Sequence, residues 1–497
     1  MTLEGFATKE GTRAYLDKYK DYQYNTLGKT GLSVSQIGFG GYRIDVRSPL
    51  NLEALKKALI SGINLVDTSA NYTDGNSELL IGDVLKDLIE SNKVSRESMV
   101  VVTKGGYIQG ENYELSQERK EDGYPYPELI EFSEGLEHCI HPEFLNEQIT
   151  MSLERLGLDT ADVYLLHNPE YYLKWAEKNG KDKETARKTY YSRIKKAFEY
   201  LEEEVDKGRI KYYGISSNTF VSNKDDFDFT SLEKVISIAE EISPQNHFRI
   251  VEFPLNIMEK SAVTEKNQSG DKTVIQLAEE NNLGVLINRP LNAISEGKLT
   301  RLAEPIVHQA PTEEAINQEL ENILALEKKI ADKLKKIADK ETVAEISDNL
   351  FIYEELKDKW QMPKDIFGWD AALKQYYLPR FHNAKNIIKN SGIKDEELDM
   401  DLFGCTFKIG KLFSTISSYW NNEYLKYTGK MKEDLISQLP ELEQLNKISN
   451  MAIYFLRSTK GISSVLVGMV QIPYVNDALQ GLKIPANKEF NIEEISL

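Results

Sequence analysis

The chain has 497 residues, of which 41% are hydrophobic and 28% are charged. This composition is typical of a globular protein and excludes a disordered or collagen-like chain. The formal net charge of −18 argues against nucleic acid or anionic membranes as partners, because both would repel the chain. The two cysteines, Cys139 and Cys405, lie far apart and no apolar run is long enough to span a membrane, so we expect a cytoplasmic protein.

The predicted elements begin after an amino-terminal extension, residues 1–21. Tyr22–Leu27 and Leu32–Ser35 flank a glycine-rich turn and predict a β-hairpin. Eight short apolar runs are predicted to be strands buried on both faces of a parallel sheet, and most of them precede a segment of helical period. The runs are Val34–Gly38, Asn64–Asp67, Met99–Lys104, Asp162–His167, Tyr212–Ser216, Arg249–Phe253, Gly284–Asn288 and Ser464–Gly468.

Eight strands alternating with helices predict an α/β fold, the (β/α)8 or TIM barrel, with the hairpin at its bottom. A doubly wound sheet is disfavoured because its GxGxxG fingerprint is absent. Residues 22–291 would carry strands 1–7, and residues 452–497 would carry the last strand and a carboxyl-terminal helix and tail.

Residues 292–451 form a long, mostly helical insertion between the seventh and eighth strands. An apolar stripe from Ile316 to Ile337, interrupted by Glu327, spans only about three heptads. It therefore predicts helices packed within the chain rather than a dimerising coiled coil. The insertion and the irregular segment 105–141 both follow strands, so we expect both at the carboxyl-terminal face, with the insertion as a lid.

Four residues with reactive side chains fall at or just beyond the carboxyl ends of three successive predicted strands. Asp67 ends the second run, and Tyr72 follows five residues later. Lys104 ends the third run, and His167 ends the fourth. Because the carboxyl ends of barrel strands converge on one mouth, we expect these four side chains to meet there.

Together the four side chains suit a proton donor and the groups that tune it. A tyrosine has an ordinary pKa of about 10, and an ammonium from Lys104 is expected to lower the pKa of Tyr72. Asp67 would hold that ammonium in place, and His167 would hydrogen-bond a substrate carbonyl oxygen. Such a site stabilises the negative charge that develops on a carbonyl oxygen as a hydride arrives.

An ordered set of short motifs along the chain resembles the aldo-keto reductase family. The resemblance covers roughly residues 22–300 and 452–480, with the motifs in the family's order and at the same strands. The matching segments are Gly31–Ser35, Ile37–Gly41, Gly62–Ser69, Tyr72, Ser77–Glu78, Ile81–Gly82, Val102–Lys104, Leu165–Pro169, Gly214–Asn218 and Leu466–Gly468.

This resemblance implies a (β/α)8 barrel that reduces a carbonyl compound, or oxidises an alcohol, with NADP(H) or NAD(H). Tyr72 would be the general acid, with Asp67, Lys104 and His167 completing the catalytic set. The partner of the protein would be a small carbonyl or alcohol compound as its substrate. The residues implied at the cofactor are Gly40, Tyr42, Asp67, Ser217, Asn218, Glu252, Arg289, Pro290, Leu291, Lys298 and Gly468.

Three positions depart from the family pattern. Glu252 stands where a glutamine commonly joins Ser217 and Asn218 at the nicotinamide carboxamide. Asn288 stands where a tyrosine usually stacks under the nicotinamide. Met469–Asp477 contains no lysine or arginine for a 2′-phosphate, so a preference for NADP(H) over NAD(H) does not follow from the residues.

Two other functions stay open from the residues alone. Asn288 and the large insertion are compatible with a barrel that binds a nucleotide as a sensor or scaffold, without catalysis. Lys104 can also be interpreted as the Schiff-base lysine of an aldolase. His138–His141 has no second pair of ligands at suitable spacing, so we expect no metal site. Neither the substrate nor the oligomeric state follows from the sequence.

Overall fold

Strands and helices alternate along the chain in the computed structural model, which describes residues 2–295, 298–305, 307, 310–487 and 492–495. The strands are β1 Tyr24–Thr26, β2 Ser33–Ser35, β3 Ile37–Gly40, β4 Leu65–Asp67, β5 Val100–Gly105, β6 Tyr107–Ile108, β7 Ile130–Ser133, β8 Leu136–His138, β9 Ala161–His167, β10 Ile210–Ser216, β11 Phe248–Pro254, β12 Gly284–Asn288, β13 Asn292–Ser295, β14 Lys298–Arg301 and β15 Ser464–Val467. The helices are α1 Lys9–Leu16, α2 Pro49–Leu59, α3 Asn76–Glu90, α4 Glu111–Glu121, α5 Pro142–Leu156, α6 Tyr171–Lys178, α7 Lys183–Asp206, α8 Leu232–Ile242, α9 Ser261–Thr264, α10 Val274–Glu280, α11 Glu313–Ile337, α12 Lys340–Leu350, α13 Tyr353–Leu356, α14 Ile366–Ala372, α15 Leu378–Ser391, α16 Glu396–Gln438, α17 Ile448–Ser458 and α18 Ile472–Leu482.

Eight of the strands close into a barrel in which every neighbouring pair is parallel. The order around the barrel is β3, β4, β5, β9, β10, β11, β12 and β15, which then pairs with β3. The strand residues are almost all buried because side chains fill the interior and helices cover the outside. The predicted (β/α)8 barrel is confirmed.

The first barrel strand differs from its prediction. The sequence pattern indicates Val34–Gly38, whereas the barrel strand is Ile37–Gly40 and Val34 belongs to the hairpin strand Ser33–Ser35. That strand pairs antiparallel with Tyr24–Thr26. The boundary was missed because Ser35 and Gln36, which separate Val34 from Ile37, are themselves buried, each 2% exposed, and no glycine or proline marks a turn between the two strands.

The hairpin closes the lower end of the barrel, as the sequence predicts. Leu27, Leu32 and Val34 belong to one buried cluster with the inward-facing residues of the barrel strands, among them Val100 and Leu286. The amino-terminal extension is folded too, since it contains the helix Lys9–Leu16.

A buried ion pair fastens the extension to the barrel. Asp162, which is 1% exposed, accepts hydrogen bonds from the backbone N–H groups of Ala7 (2.6 Å) and Val101 (2.7 Å). It also pairs with the guanidinium of Arg96 at 2.9 Å, and Arg96 is itself buried. One carboxylate thus joins the extension, two barrel strands and the turn before β5.

Residues 105–141 are more regular than predicted. They contain a three-stranded antiparallel sheet, in the order β6–β8–β7, and the helix α4. The helix was missed because its sequence is polar all round, with Ser116 as its buried residue, so it shows no apolar stripe. The following helix, α5, lies where the sequence predicts it, with Pro142 in its first turn and Gly157 in the left-handed conformation at its end.

A second compact unit comprises Ala303–Ser437, while Met1–Leu302 and Gln438–Leu497 form the first. The predicted stripe of α11 is buried inside the second unit from Ile316 to Leu334, where its members pack with Trp369 and the apolar face of α16, whereas Ile337 at its end is 42% exposed. Glu327, which interrupts the stripe, accepts hydrogen bonds from the backbone N–H groups of Ile352 (2.7 Å) and Tyr353 (3.2 Å). Among the described residues, no helix is both long and apolar enough to cross a membrane.

We expect Asp162→Ala to lower the free energy of unfolding by about 3–5 kcal/mol, because it leaves the Arg96 guanidinium buried without its carboxylate. Urea unfolding followed by circular dichroism measures the change. Asp17→Ala removes the partner of Arg13 from an exposed ion pair and should cost less than about 1 kcal/mol. Equal losses in the two variants would contradict the structural role of Asp162.

Candidate active site

Three of the four predicted catalytic residues lie at the carboxyl ends of neighbouring barrel strands. Asp67 is the last residue of β4, Lys104 the next-to-last of β5 and His167 the last of β9. These strands are adjacent in the barrel. Tyr72 follows β4 in the loop that leads to α3, so its hydroxyl can reach the same mouth.

Lys104 is the centre of the group. Its ammonium donates a short hydrogen bond to Asp67 Oδ1 and a second one to the backbone oxygen of Thr68 at 3.1 Å. Tyr72 Oη and Glu252 Oε2 each lie 3.4 Å from the same nitrogen. The predicted contacts among the phenol, the ammonium and the carboxylate are therefore present.

His167 completes the group on the side of Tyr72. Its ring lies edge-on to that of Tyr72, with 5.8 Å between centroids, and edge-on to that of Tyr107 at 4.7 Å. Ser69 Oγ is 2.9 Å from His167 Nδ1, and His138 Nε2 is 2.8 Å from the backbone oxygen of His167. Ser69 thus positions the imidazole through Nδ1, and His138 positions the backbone of His167.

The electrostatics keep Lys104 charged and His167 neutral. Burial by itself lowers the pKa of Lys104. The carboxylates of Asp67 and Glu252 raise this pKa by more than burial lowers it, so the net shift is upward. Burial, with the Lys104 ammonium nearby, holds the pKa of His167 well below its usual range. The site thus contains an ammonium beside a neutral imidazole.

The pKa of Tyr72 is raised, whereas the sequence predicts that it is lowered. Burial of the phenol raises this pKa most, and the charges of Asp67 and Glu252 add to the rise. Lys104 lowers it, as expected, but by less than the other effects raise it. The prediction was wrong because it counted the ammonium and left out desolvation and the second carboxylate.

Glu252 is engaged with the catalytic group. Its Oε1 accepts hydrogen bonds from Ser216 Oγ and Asn288 Nδ2, both at 3.0 Å, and its Oε2 faces Lys104. The family resemblance implies only a cofactor role for Glu252. Its place at the carboxyl end of β11 is the signal that points to the mouth, and the contact with Lys104 needs the closed barrel.

The backbone is strained at the residues that directly follow Tyr72, His167 and Asn288. Thr73, Asn168 and Arg289 have φ values of 46°, 48° and 50°, a region that non-glycine residues rarely adopt. Thr73 Oγ1 donates to the backbone oxygen of Ile44 at 2.6 Å, and Asn168 Nδ2 donates to Tyr107 Oη at 2.7 Å. Side-chain hydrogen bonds therefore hold two of the strained residues in place.

Residues predicted at the nicotinamide end of the cofactor lie on both sides of the mouth. Gly40 ends β3, and Tyr42 is 62% exposed with its ring edge-on to that of Tyr72, 5.2 Å between centroids. Ser217 is fully buried, whereas Asn218 is half-buried. The side chain of Ser217 is therefore enclosed by the protein, whereas that of Tyr42 is open to solvent.

Glu170, which the sequence analysis missed, organises Ser217 and Asn218. Its buried carboxylate accepts hydrogen bonds from Ser217 Oγ (2.9 Å) and from the backbone N–H of Asn218 (3.0 Å). Burial raises the pKa of Glu170 to about 7. Asn218 Nδ2 in turn donates to Asn168 Oδ1 at 3.2 Å. No motif marks Glu170, since its partners come from a different strand end.

The end of β12 and the segment after it carry buried polar atoms that lack hydrogen-bond partners. Asn288 Oδ1, Arg289 Nε and Asn292 Oδ1 have no hydrogen-bond partner within the described part of the chain. Arg289 also pairs with Glu259 at 3.3 Å. Because buried polar groups are normally hydrogen-bonded, these atoms fit a polar ligand along this segment.

The remaining predicted cofactor residues differ in how far they are buried. Pro290 is buried and Leu291 half-buried after β12. Gly468 is exposed after β15, and a Cβ placed there would meet nothing within 4 Å. The side chain of Lys298 lies outside the described residues.

The motif His138–His141 has structural contacts. His138 hydrogen-bonds the backbone of His167, and His141 accepts a hydrogen bond from the backbone N–H of Glu143 at 3.3 Å, at the start of α5. Among the residues that the structure describes, no group of three or more His, Cys, Asp or Glu is arranged to hold a metal ion.

Comparison with known proteins gives a family match. The model of the Aldo/keto reductase family matches residues 36–348, which is more than half of the chain. The matched range includes the strands that carry Asp67, Lys104, His167 and Glu252, and β15 lies beyond it.

Individual relatives match shorter stretches. The NADH-specific methylglyoxal reductase of Escherichia coli (strain K12) is 32% identical over 149 residues, which are 28% of this chain and 40% of that protein. Aldo-keto reductase YhdN of Bacillus subtilis (strain 168) is 22% identical over 285 residues, 56% of this chain and 65% of that protein. The chain thus spans less than two thirds of the length of either relative.

Among solved structures, an aldo/keto reductase from Klebsiella pneumoniae in complex with NADP and acetate has a TM-score of 0.43 at 12% identity, covering 93% of this chain and 90% of that chain. The family match, which extends over most of the barrel, is the finding that identifies the chain. The chain belongs to the aldo/keto reductase family.

Proposed function

We propose that this chain is an enzyme that transfers a hydride between NADP(H) or NAD(H) and a small carbonyl or alcohol compound. The observation that carries the proposal is the contact of Asp67, Tyr72 and Lys104, with His167 beside them, at the barrel mouth. Family membership supports the reaction class. We also propose a cytoplasmic location, with Cys139 and Cys405 as free, buried thiols.

Tyr72 is the proposed proton donor. A bound nicotinamide supplies the hydride to the carbonyl carbon. The Tyr72 O–H then gives its proton to the carbonyl oxygen, which has taken the electron pair of the broken π bond. An alkoxide is a stronger base than a phenolate, so Tyr72 can serve as this donor even with a raised pKa.

Lys104 and His167 support the proton transfer in different ways. The Lys104 ammonium lies 3.4 Å from Tyr72 Oη and stabilises the phenolate that remains after the proton has left. Ser69 engages Nδ1 of the neutral His167 ring. Donation from His167 to the substrate oxygen requires the ring proton on Nε2, with the Ser69 hydroxyl as the donor to Nδ1.

The dinucleotide is proposed to extend from this group along the segment after β12. The partnerless polar atoms of Asn288, Arg289 and Asn292 fit that path, and the open space at Gly468 leaves room for close approach of a ligand to the backbone. The residues proposed to hold the dinucleotide are Gly40, Tyr42, Asp67, Ser217, Asn218, Glu252, Arg289, Pro290, Leu291, Lys298 and Gly468.

The Schiff-base alternative is disfavoured by the charge state of Lys104. A lysine that attacks a carbonyl must lose its proton, which requires a lowered pKa. The carboxylates of Asp67 and Glu252 instead raise the pKa of Lys104. The ammonium therefore suits electrostatic support and not nucleophilic attack.

We expect Tyr72→Phe to lower turnover of a carbonyl substrate by about 100- to 10,000-fold, the usual contribution of a general acid. Binding of the nucleotide, measured by fluorescence titration, should stay within about threefold, because the hydroxyl acts on the substrate. Tyr124→Phe changes a tyrosine that is 75% exposed and should leave both quantities unchanged.

Full turnover by Tyr72→Phe would refute the assignment of the proton donor. If the unmodified chain bound nucleotide but turned over no member of a carbonyl panel, the sensor or scaffold alternative would replace the proposed reaction.

We expect NADH to bind at least as tightly as NADPH, because residues 469–477 contain no lysine or arginine to pair with a 2′-phosphate. Val470→Arg places a guanidinium between β15 and α18 and should strengthen NADPH binding by about tenfold, the effect of one charge-assisted hydrogen bond. Affinity for NADH should not change, and Val470→Leu serves as the control. Equal gains for both nucleotides would show that the 2′-phosphate does not approach Val470.

A further inference from the structure

Two carboxylates lie against one buried ammonium at the barrel mouth. Lys104 is 0% exposed, and the side chains of Asp67 and Glu252 are 5% and 2% exposed. With both carboxylates ionised, this buried group carries a net charge of −1, which no further cation of the described group offsets. A surplus buried charge is costly, and the usual response is uptake of a proton.

The hydrogen bonds of Lys104 show which carboxylate lacks an N–H donor of its own. An ammonium has three N–H donors. One goes to Asp67 and one to the backbone oxygen of Thr68. The third faces two acceptors at equal distance, Tyr72 Oη and Glu252 Oε2, each 3.4 Å away. Glu252 and Tyr72 therefore compete for one proton of Lys104.

The two carboxyl groups are also near enough to interact with each other. Asp67 and Glu252 both lie against the Lys104 nitrogen, and their charges interact. Glu252 Oε2 has no hydrogen-bond partner among the described residues, although its other oxygen accepts two bonds. A proton placed between the two groups would satisfy this buried oxygen and remove the surplus charge.

We propose that Asp67 and Glu252 share one proton beside Lys104, and that this proton decides whether Lys104 supports Tyr72 or is held by the carboxylates. The proposal rests on the proposed function for the part that concerns Tyr72. Glu252 is thus a positioning residue that acts through Lys104, in addition to its implied place at the cofactor.

Each charge state has a distinct effect on Tyr72. With the shared proton present, Glu252 no longer competes for the third N–H of Lys104, which is then free for the phenol. When the proton is lost, both carboxylates hold the ammonium and their added negative charge opposes formation of the phenolate. Carbonyl reduction should therefore slow as the pH rises through the ionisation of the pair.

The groups that face Glu252 are consistent with this assignment. Among the described residues, the titratable ones that interact with it are Asp67 on β4, Tyr72 in the loop after β4 and Lys104 on β5. Its other contacts, Ser216 and Asn288, are uncharged. Burial and the charge of Glu252 raise the pKa of Asp67, against the opposing effect of Lys104, which agrees with a proton held by the pair.

Infrared spectroscopy of the full chain, without nucleotide or substrate, tests the shared proton directly. A buried carboxylic acid absorbs apart from a carboxylate, so the pair should give an acid band that disappears as the pH is raised. Glu252→Gln should abolish this band, because Asp67 paired with Lys104 alone stays ionised. Asp67→Asn should abolish it as well, which covers the case in which Glu252→Gln does not fold.

Glu170→Gln is the matched control. Glu170 is another buried carboxyl at this end of the barrel, and burial raises its pKa to about 7, but its partners are Ser217 and Asn218 and not Lys104. This variant should remove a separate acid band and keep the band of the pair. A band of the pair that survives in Glu252→Gln would overturn the proposal.

The pH profile of turnover tests the effect on Tyr72. Above the ionisation of the pair, the unmodified chain should lose reduction rate by up to about tenfold per pH unit, as for a single titrating group. Glu252→Gln should remove this limb and leave the rate flat over the same range, because the amide mimics the protonated carboxyl. Superimposed profiles would overturn the role of Glu252. The infrared result does not depend on turnover, so it stands apart from a failure of the proposed function.

Discussion

The burial of the Lys104 ammonium is the constraint on which the site depends. An ammonium removed from water is stable only when carboxylates and hydrogen-bond acceptors surround it. Here the partners come from the ends of β4 and β11 and from the loop after β4. Those strands lie on different parts of the ring, so the ammonium is satisfied only when the barrel has closed. Closure of the barrel therefore also assembles the site.

The strained backbone of the mouth follows from the same requirement. Thr73, Asn168 and Arg289 adopt positive φ values directly after Tyr72, His167 and Asn288, where the chain must turn sharply and still aim the preceding side chain inward. Such conformations persist only when the surroundings over-determine them. The hydrogen bonds of Thr73 and Asn168 supply that restraint from neighbouring loops.

The helical unit 303–437 is stabilised by its own core. Trp369 and the stripe of α11 are buried within it, and Glu327 uses its carboxylate on two backbone N–H groups. A carboxylate in an apolar stripe is tolerated where it meets otherwise unsatisfied donors at the start of a helix. The unit therefore has an apolar core of its own, whose members range from Ile316 to Tyr424.

The sequence by itself determined the fold class and the position of most barrel strands, and it predicted the four side chains that are proposed as the catalytic group. Buried parallel strands are uninterrupted apolar runs, and a charged residue at the end of such a run is conspicuous. It could not reveal the helix 111–121, which lacks an apolar face, or the boundary between Ser35 and Ile37. Only the tertiary structure decided that Glu252 faces Lys104 and that the pKa of Tyr72 rises, because desolvation and contacts between distant strands exist only once the chain is folded.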